Sequence, residues 1–127
     1  MSLDGLVLVG MDGNGNINIF ERVNTAATFS SSTATSLTTG RPSSFLDMDG
    51  AGTIFAVCTD QELQVFNKIA IGDWGFGSSE AFSNTNNDPV TDVRFSPDGL
   101  TLAMTISNER VIVMKDNAGA FSGGTTI

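Results

Sequence analysis

The sequence predicts an all-β fold made of about three repeated antiparallel sheets of short strands. Three observations lead to this prediction: Asp-Gly pairs recur along the chain, two short apolar stretches follow each pair, and no long stretch shows the apolar spacing of a helix. Asp-Gly between apolar stretches is a strong signal for a tight turn between antiparallel strands. Only 16% of the 127 residues are charged, so Ser, Thr, Asn and Gly supply much of the polar surface, which is typical of β-structure with many turns.

The repeat can be followed element by element. Its turns contain the pairs Asp4-Gly5, Asp49-Gly50 and Asp98-Gly99. The pairs are 45 and 49 residues apart, and each is followed by an apolar strand, a polar turn and a second strand. In the first repeat Ile17 and Ile19 flank Asn18, and this period of two predicts a strand with one buried face. The predicted strands lie near residues 6–10, 17–22, 45–48, 53–58, 63–67, 91–95, 101–106 and 111–115.

An aromatic residue follows the second strand of each repeat. These residues are Phe29, Trp74 and Phe121. Their recurrence predicts that they pack between neighbouring sheets. Trp74 has a second interpretation, because it lies among glycines next to Asp73, and an exposed ring there would stack on a sugar or contact a partner. The third-repeat residues expected to be buried are Phe95, Leu102, Ala103, Val111 and Val113.

The length of the repeat indicates the architecture. A single small sheet cannot bury both of its faces, and stacking of successive sheets solves that problem. A repeat of about 40–50 residues with four strands is typical of a β-propeller blade. The predicted fold is therefore a set of β-propeller-type, four-stranded antiparallel blades, about three per chain. The predicted blades are blade 1 at about 4–42, without its innermost strand, blade 2 at about 43–88 and blade 3 at about 89–127.

Three blades do not close a propeller, since propellers have about four to eight. The ring is therefore expected to be completed either by oligomerisation or by a longer parent chain. In the first case the chain is its own partner, in a homodimer or homotrimer that closes a ring. The contact between copies would then be head-to-tail.

The third repeat resembles a known family. The stretch Phe95-Ser-Pro-Asp-Gly99 resembles the hairpin that joins the first two strands of a WD-repeat blade, and residues 90–103 and 111–116 resemble the strands around it. The Gly-His pair and the closing Trp-Asp of true WD repeats are missing, so the chain resembles a divergent WD-repeat-like β-propeller. Its repeats are also similar to those of propeller repeat proteins from phages and environmental bacteria. The resemblance implies a non-catalytic protein-interaction or structural scaffold.

Charge and residue content narrow the possible functions. The net charge of −8 would repel a nucleic-acid backbone or an anionic membrane surface, so neither partner is expected. The absence of histidine excludes a Ser-His-Asp triad and imidazole metal ligands. The one cysteine, Cys58, cannot form an intrachain disulfide and is expected to be a small buried residue. We expect a soluble protein without signal peptide, transmembrane segment, cofactor or enzymatic activity.

The segment from Asp12 to Asn18 places side-chain oxygens at alternate positions, as the start of a calcium loop does. The rest of such a loop is missing, because Ile17 stands where a glycine is needed and Val23 where a glutamate is needed. We therefore expect a hairpin turn and no metal site here.

Two aspartates are expected to face a central channel. Asp47 and Asp92 precede the turns of the second and third repeats, and they are taken to occupy equivalent places on the innermost strands. Together with Trp74 and Asp73, they are the candidate contact residues for a ligand or partner. The alternatives to a scaffold are a carbohydrate-binding, lectin-like propeller module, which needs an exposed Trp74, and a fragment of a propeller enzyme.

Overall fold

The computed structural model describes residues 1–29, 33–81, 90–106, 110–117 and 120–126. These residues form three antiparallel sheets whose strands pair in chain order. Sheet 1 contains β1 (Val7–Met11), β2 (Asn16–Glu21) and β3 (Thr33–Thr38). Sheet 2 contains β4 (Ser43–Met48), β5 (Ile54–Thr59), β6 (Glu62–Ala70) and β7 (Asp73–Ala81). Sheet 3 contains β8 (Val90–Phe95), β9 (Thr101–Ile106), β10 (Arg110–Asn117) and β11 (Ala120–Thr126).

The predicted all-β fold of propeller-type blades is confirmed by these sheets of three, four and four strands. The outermost strands β7 and β11 were absent from the sequence prediction, because their glycines and serines weaken the pattern that marks a strand. The strand β3 lies in the Ser/Thr-rich segment and forms the outer edge of sheet 1. The predicted boundary at residues 88 and 89 lies outside the described residues.

The turns between the first two strands of each repeat recur at an even spacing. The glycines with positive φ in these turns are Gly5, Gly52 and Gly99, at 70°, 70° and 72°, and they are 47 residues apart in both cases. The sequence prediction was wrong about Asp49-Gly50, because Gly52 and not Gly50 is the equivalent of Gly5 and Gly99. Gly50 is needed for a different reason, since a Cβ there would lie 2.7 Å from Leu3 and 2.8 Å from the carbonyl oxygen of Pro97.

A serine and an aspartate hold the first turn, and the same two residue types hold the third. In the first, Ser2 Oγ accepts the N–H of Val7 at 3.0 Å and Asp4 Oδ1 accepts the N–H of Leu6 at 2.9 Å. In the third, Ser96 accepts from Thr101 and Asp98 accepts from Leu100, at 2.9 and 3.0 Å.

The second turn is held by one side chain. Asp49 Oδ1 accepts the N–H groups of both Thr53 and Ile54, at 2.8 and 3.0 Å. Asp49 therefore occupies the position that Ser2 and Ser96 occupy in the other turns. It accepts both of the N–H groups that a serine and an aspartate accept separately there. This substitution explains why the Asp-Gly pairs are unevenly spaced although the turns are not.

Sheet 2 lies between the other two sheets and is buried on both faces. The core between sheets 1 and 2 is rich in large side chains and includes Ile17, Ile19, Phe55, Phe66 and Trp74. The core between sheets 2 and 3 includes Ala56, Cys58, Leu102, Met104 and Phe121. Successive residues of β5 point to opposite sheets, as the pleat of a strand requires.

Sheet 3 has one face without a neighbouring sheet among the described residues. Leu102 is fully buried, as predicted, because it faces sheet 2. Ala103, Val111 and Val113 are only half-buried, because they lie on the opposite face, where Ala103 pairs with Val113. Phe95 is also half-buried, although it packs against the core of sheets 2 and 3. The prediction that these four side chains are buried was therefore wrong.

Candidate functional site

The three glycine turns lie side by side along one end of the sheets, which we call the turn rim. It consists of the turns at residues 2–6, 49–53 and 96–100, and Leu3 N–H donates to the carbonyl of Gly50 at 2.9 Å. The β6–β7 hairpin ends on the same rim, since Lys68 N–H donates to the carbonyl of Thr53 at 2.8 Å. The chain after β2 also lies there, because Arg22 N–H donates to the carbonyl of Leu6 at 3.0 Å.

Exposed apolar side chains are concentrated on the turn rim. Seven large apolar residues of the described chain are exposed, and six of them lie on or next to this rim, the exception being Phe76 in β7. The six are Met1, Leu3, Val23, Ile69, Ile71 and Leu100. Single exposed apolar residues are common on protein surfaces, but a cluster on one end of a molecule is typical of an interaction surface.

The opposite end of the sheets is polar in the described part of the chain. Asp12 Oδ1 accepts the N–H groups of Asn14 and Asn16, each at 2.9 Å, and Oδ2 accepts from the Asn16 side chain at 2.8 Å. The Asn16 side chain and then its N–H lower the pKa of Asp12 below its ordinary value. Arg41 and Asp60 form an ion pair at 2.8 Å on the same end. Asp12 lies in the hairpin turn that the sequence predicted, here between β1 and β2, and its carboxylate is engaged within that turn.

Metal and thiol chemistry find little support in the described residues. No group of three or more carboxylate or thiol side chains with the spacing of a metal site occurs among them. Burial raises the pKa of the Cys58 thiol to about 12, with a smaller contribution from the charge of Asp92. The sulfur lies 3.7 Å from the sulfur of Met104 in the core between sheets 2 and 3. A thiol in this state is not a nucleophile at neutral pH.

Asp47 and Asp92 come together around one arginine. Asp92 Oδ2 lies 3.0 Å from Arg94 Nε, and Asp47 Oδ1 lies 3.9 Å from Arg94 Nη1. The second oxygen of Asp47 accepts the N–H of Phe95 at 2.7 Å, across the boundary between sheets 2 and 3.

The predicted equivalence of the two aspartates was wrong. Asp47 pairs with Ala56 and Arg94 pairs with Ala103, 47 residues further on, whereas Asp92 pairs with Thr105. The residue of sheet 3 that is equivalent to Asp47 is therefore Arg94. The charge at this position is negative in β4 and positive in β8.

Trp74 is a packing residue in this structure. Its side chain is 5% exposed, and its ring is tilted against Phe55 at a centroid distance of 5.4 Å. The indole Nε1–H donates to Glu21 Oε2 at 3.0 Å. The ring is therefore not offered to a ligand as a stacking surface. Asp73, the neighbouring candidate, is exposed at the start of β7.

The residue that sequence reasoning missed here is Glu21, a buried carboxylate that joins sheets 1 and 2. Besides Trp74, it accepts the N–H of Gly72 at 2.6 Å and pairs with Lys68 Nζ at 2.5 Å. Burial alone would raise the pKa of Glu21, but Lys68, Gly72 and Trp74 together bring it below its ordinary value. The only signal in the sequence was Trp74 itself, because a buried indole N–H needs an acceptor.

No described helix has the length and apolar character that a membrane span requires. The sequence matches no protein-family model and no curated protein sequence.

Comparison with solved structures shows the fold. The chain superposes on Hsv2p of Kluyveromyces lactis with a TM-score of 0.70 and 19% sequence identity, over 91% of this chain and 36% of that one. For the β-propeller domain of Cps50 (Swd1) from Myceliophteria thermophila, the TM-score is 0.67 at 18% identity, over 98% of this chain and 38% of that one. The chain therefore spans well under half the length of these structures. The chain therefore has the fold of β-propeller blades, as the resemblance of the third repeat implied.

Proposed function

We propose that this chain is a non-catalytic interaction scaffold and that a protein partner docks on the turn rim. The observation that carries the proposal is the uneven distribution of exposed apolar side chains, six of seven of which lie on or next to this rim in the described chain. The rim is built on turns that are fixed by their own hydrogen bonds, so it offers apolar side chains from a preorganised surface. A carbohydrate-binding role receives less support, because it would require Trp74 to leave its buried position.

The test compares proteins captured from extracts of the source organism by three forms of the chain. They are the wild type, a rim variant with Leu3→Lys and Leu100→Lys, and a control with Phe76→Lys. The control changes an exposed apolar residue that lies away from the rim. Partners that bind the rim should be lost from the rim variant and kept by the control, as measured by quantitative mass spectrometry. Equal capture by all three forms would contradict the proposal.

A second candidate interaction is self-association through the open face of sheet 3, formed by Thr101, Ala103, Thr105, Val111 and Val113. The pair Ala103 and Val113 stands where Ala56 and Val65 stand in sheet 2, and there the equivalent pair is buried against the next sheet.

The outer face of sheet 1 supplies a matching surface. Leu8 pairs with Phe20 at the place where sheet 2 has Phe55 and Phe66, and those rings pack against the preceding sheet. A second copy of the chain that docks its sheet 1 on sheet 3 would therefore repeat the contacts found inside one copy. We propose that identical copies associate head-to-tail in this way, as a closed homodimer or homotrimer.

Light scattering on the purified chain tests self-association. We expect an oligomer at micromolar concentration, which Val113→Lys converts to a monomer and Ile71→Lys, on the turn rim, does not. A folded wild-type monomer, or an oligomer that persists in Val113→Lys, would contradict this second proposal and leave the first one standing.

A further inference from the structure

A pocket of about 220 Å³ opens on the turn rim near the innermost strands β4 and β8. Its apolar lining comes mainly from Met1, Leu3, Phe95 and Pro97, and Asp47 lies among these residues. Leu3 is 82% exposed, so the wall it forms is free to contact a partner. The pocket combines apolar side chains with the carboxylates of Asp47 and Asp49.

Asp47 retains the capacity to bind a cation. One of its oxygens is engaged by the N–H of Phe95, whereas the nearest cationic nitrogen to the other is that of Arg94 at 3.9 Å, beyond hydrogen-bond distance. Arg94 itself makes its short contact with Asp92, at 3.0 Å. Among the residues that the structure describes, this oxygen of Asp47 therefore has only the long contact with Arg94, and the Asp47 side chain is 23% exposed.

The charges around the pocket favour a positive ligand. Asp47, Asp92 and Asp98 lie on the strands and turn beside it, with Arg94 as the cationic side chain of those segments. Asp49 also lines the pocket, but its oxygens are occupied by the second turn. The net charge of the chain, −8, acts in the same direction at longer range.

A lysine or arginine side chain fits both features, because each has an apolar stem and a cationic end. The rim also provides places for flanking apolar residues, since a second pocket there is lined by Leu6, Val23 and Ile71. We propose that the pocket beside Asp47 takes a Lys or Arg side chain from a basic, apolar peptide segment of a partner protein. This inference rests on the proposed scaffold function and names the chemistry of the partner.

The test begins with selection of random dodecapeptides displayed on phage against the immobilised wild-type chain. We expect the enriched peptides to contain Lys or Arg next to apolar residues. Binding of a fluorescein-labelled peptide from this set is then measured by anisotropy. Replacing its basic residue by norleucine, which keeps the stem and removes the charge, should weaken binding at least about tenfold.

Variants of the protein locate the site. Asp47→Asn keeps an acceptor for Phe95 N–H and removes the charge, and it should weaken binding by about tenfold as well. Leu3→Ser, at a highly exposed position, is a second variant that does not depend on the stability of Asp47→Asn. Asp60→Asn removes an exposed carboxylate at the opposite end and is the matched control, with unchanged affinity expected.

The outcomes separate this inference from the proposed function. Enriched peptides that lack basic residues but lose affinity in Leu3→Ser would overturn the basic-side-chain pocket and leave the docking rim intact. Unchanged affinity of a basic peptide in Asp47→Asn would also overturn the pocket. Peptides whose binding is insensitive to every change on the rim would count against both proposals.

Discussion

The interface between sheets 1 and 2 and the interface between sheets 2 and 3 place different chemistry at equivalent positions. Trp74 pairs with Lys68 in β6, and Phe121 pairs with Asp116 at the corresponding place in β10. Both rings are buried. Trp74 has a hydrogen-bond donor, its indole N–H, that Phe121 lacks, and the surroundings of the two rings differ accordingly.

The indole N–H of Trp74 is accompanied by a buried carboxylate, that of Glu21. Glu21 accepts the indole N–H, and Lys68 balances the charge of Glu21. Phe121 makes an edge-to-face contact with Phe95 instead, at a centroid distance of 5.5 Å. The comparison shows that the same position in the repeat can hold a ring with a buried N–H donor or a purely apolar ring. The donor must then have a hydrogen-bond acceptor.

Truncation of one buried ring at each interface should give the largest effects. Phe55→Ala and Phe121→Ala should each lower the free energy of unfolding by about 3–5 kcal/mol. Phe55→Ala should cost more, because Phe55 contacts two rings, Phe66 at 4.9 Å and Trp74 at 5.4 Å between centroids. Urea unfolding measures both changes, with Val23→Ala, at a position that is 80% exposed, as control. A larger loss for Phe121→Ala would mean that the interface between sheets 2 and 3 contributes more to the free energy of unfolding than the interface between sheets 1 and 2.

The sequence predicted the parts of this comparison that repeat and missed the parts that do not. Recurrence of Phe29, Trp74 and Phe121 correctly predicted packing for Trp74 and Phe121. Glu21 could not be predicted as the partner of Trp74, because the two residues are 53 positions apart and nothing in the repeat links them.

The turns show the same limit. Gly5 and Gly99 were identified because each follows an aspartate, whereas the sequence around Asp49 offers both Gly50 and Gly52. The choice depends on φ and on which N–H groups Asp49 accepts, and only the structure provides these. Asp92 was misplaced for a similar reason, because only the strand pairing shows that Arg94, 47 residues after Asp47, is the equivalent residue.

A double-mutant cycle on Trp74→Phe and Glu21→Gln tests the hydrogen bond between these two residues directly. Each single change should lower the free energy of unfolding by about 1–3 kcal/mol, because each disturbs a buried hydrogen bond. The double variant should lose less than the sum of the two, by at least about 0.5 kcal/mol, since both remove the same contact. Strict additivity in urea unfolding would show that Glu21 is stabilised by Lys68 and Gly72 alone.

The acid dependence of stability should also differ between wild type and Glu21→Gln. The pKa of Glu21 is lower in the folded chain than its ordinary value of 4.5, so the unfolded chain binds the proton more readily. The contribution of ionised Glu21 is therefore complete above pH 4.5 and is lost as the pH falls through the folded pKa. The gap between the melting temperatures of the two proteins should narrow below pH 4.5. A constant gap would contradict the assigned role of the charge.

Replacing the turn glycines by alanine tests how closely each turn packs against the preceding turn at the two interfaces. Gly52→Ala should cost more than Gly99→Ala, because its Cβ would lie 2.7 Å from Ser2 Cβ, against 3.1 Å from Asp49 for Gly99. Both variants also force alanine into a left-handed conformation, at about 1–2 kcal/mol. Gly40→Ala is the control for that strain alone, since its φ is +72° and no atom lies within 4 Å of its Cβ. In thermal unfolding, Gly52→Ala should lower the melting temperature most, Gly99→Ala less and Gly40→Ala least.

The smallest effect is expected from the ion pair that crosses between sheets 2 and 3. Glu21 and Lys68 cross the other interface at 2.5 Å with 4% and 24% of their side chains exposed, whereas Arg94 is 69% exposed and lies 3.9 Å from Asp47. Water and salt screen such an exposed pair, so Arg94→Gln should lower the free energy of unfolding by less than about 1 kcal/mol. That small loss should disappear at about 1 M salt, where the screening length falls to about 3 Å. A loss as large as that of Glu21→Gln, or one that persists in high salt, would show that Arg94 fixes the position of Asp47 and the N–H of Phe95, and that both interfaces depend on a charged contact.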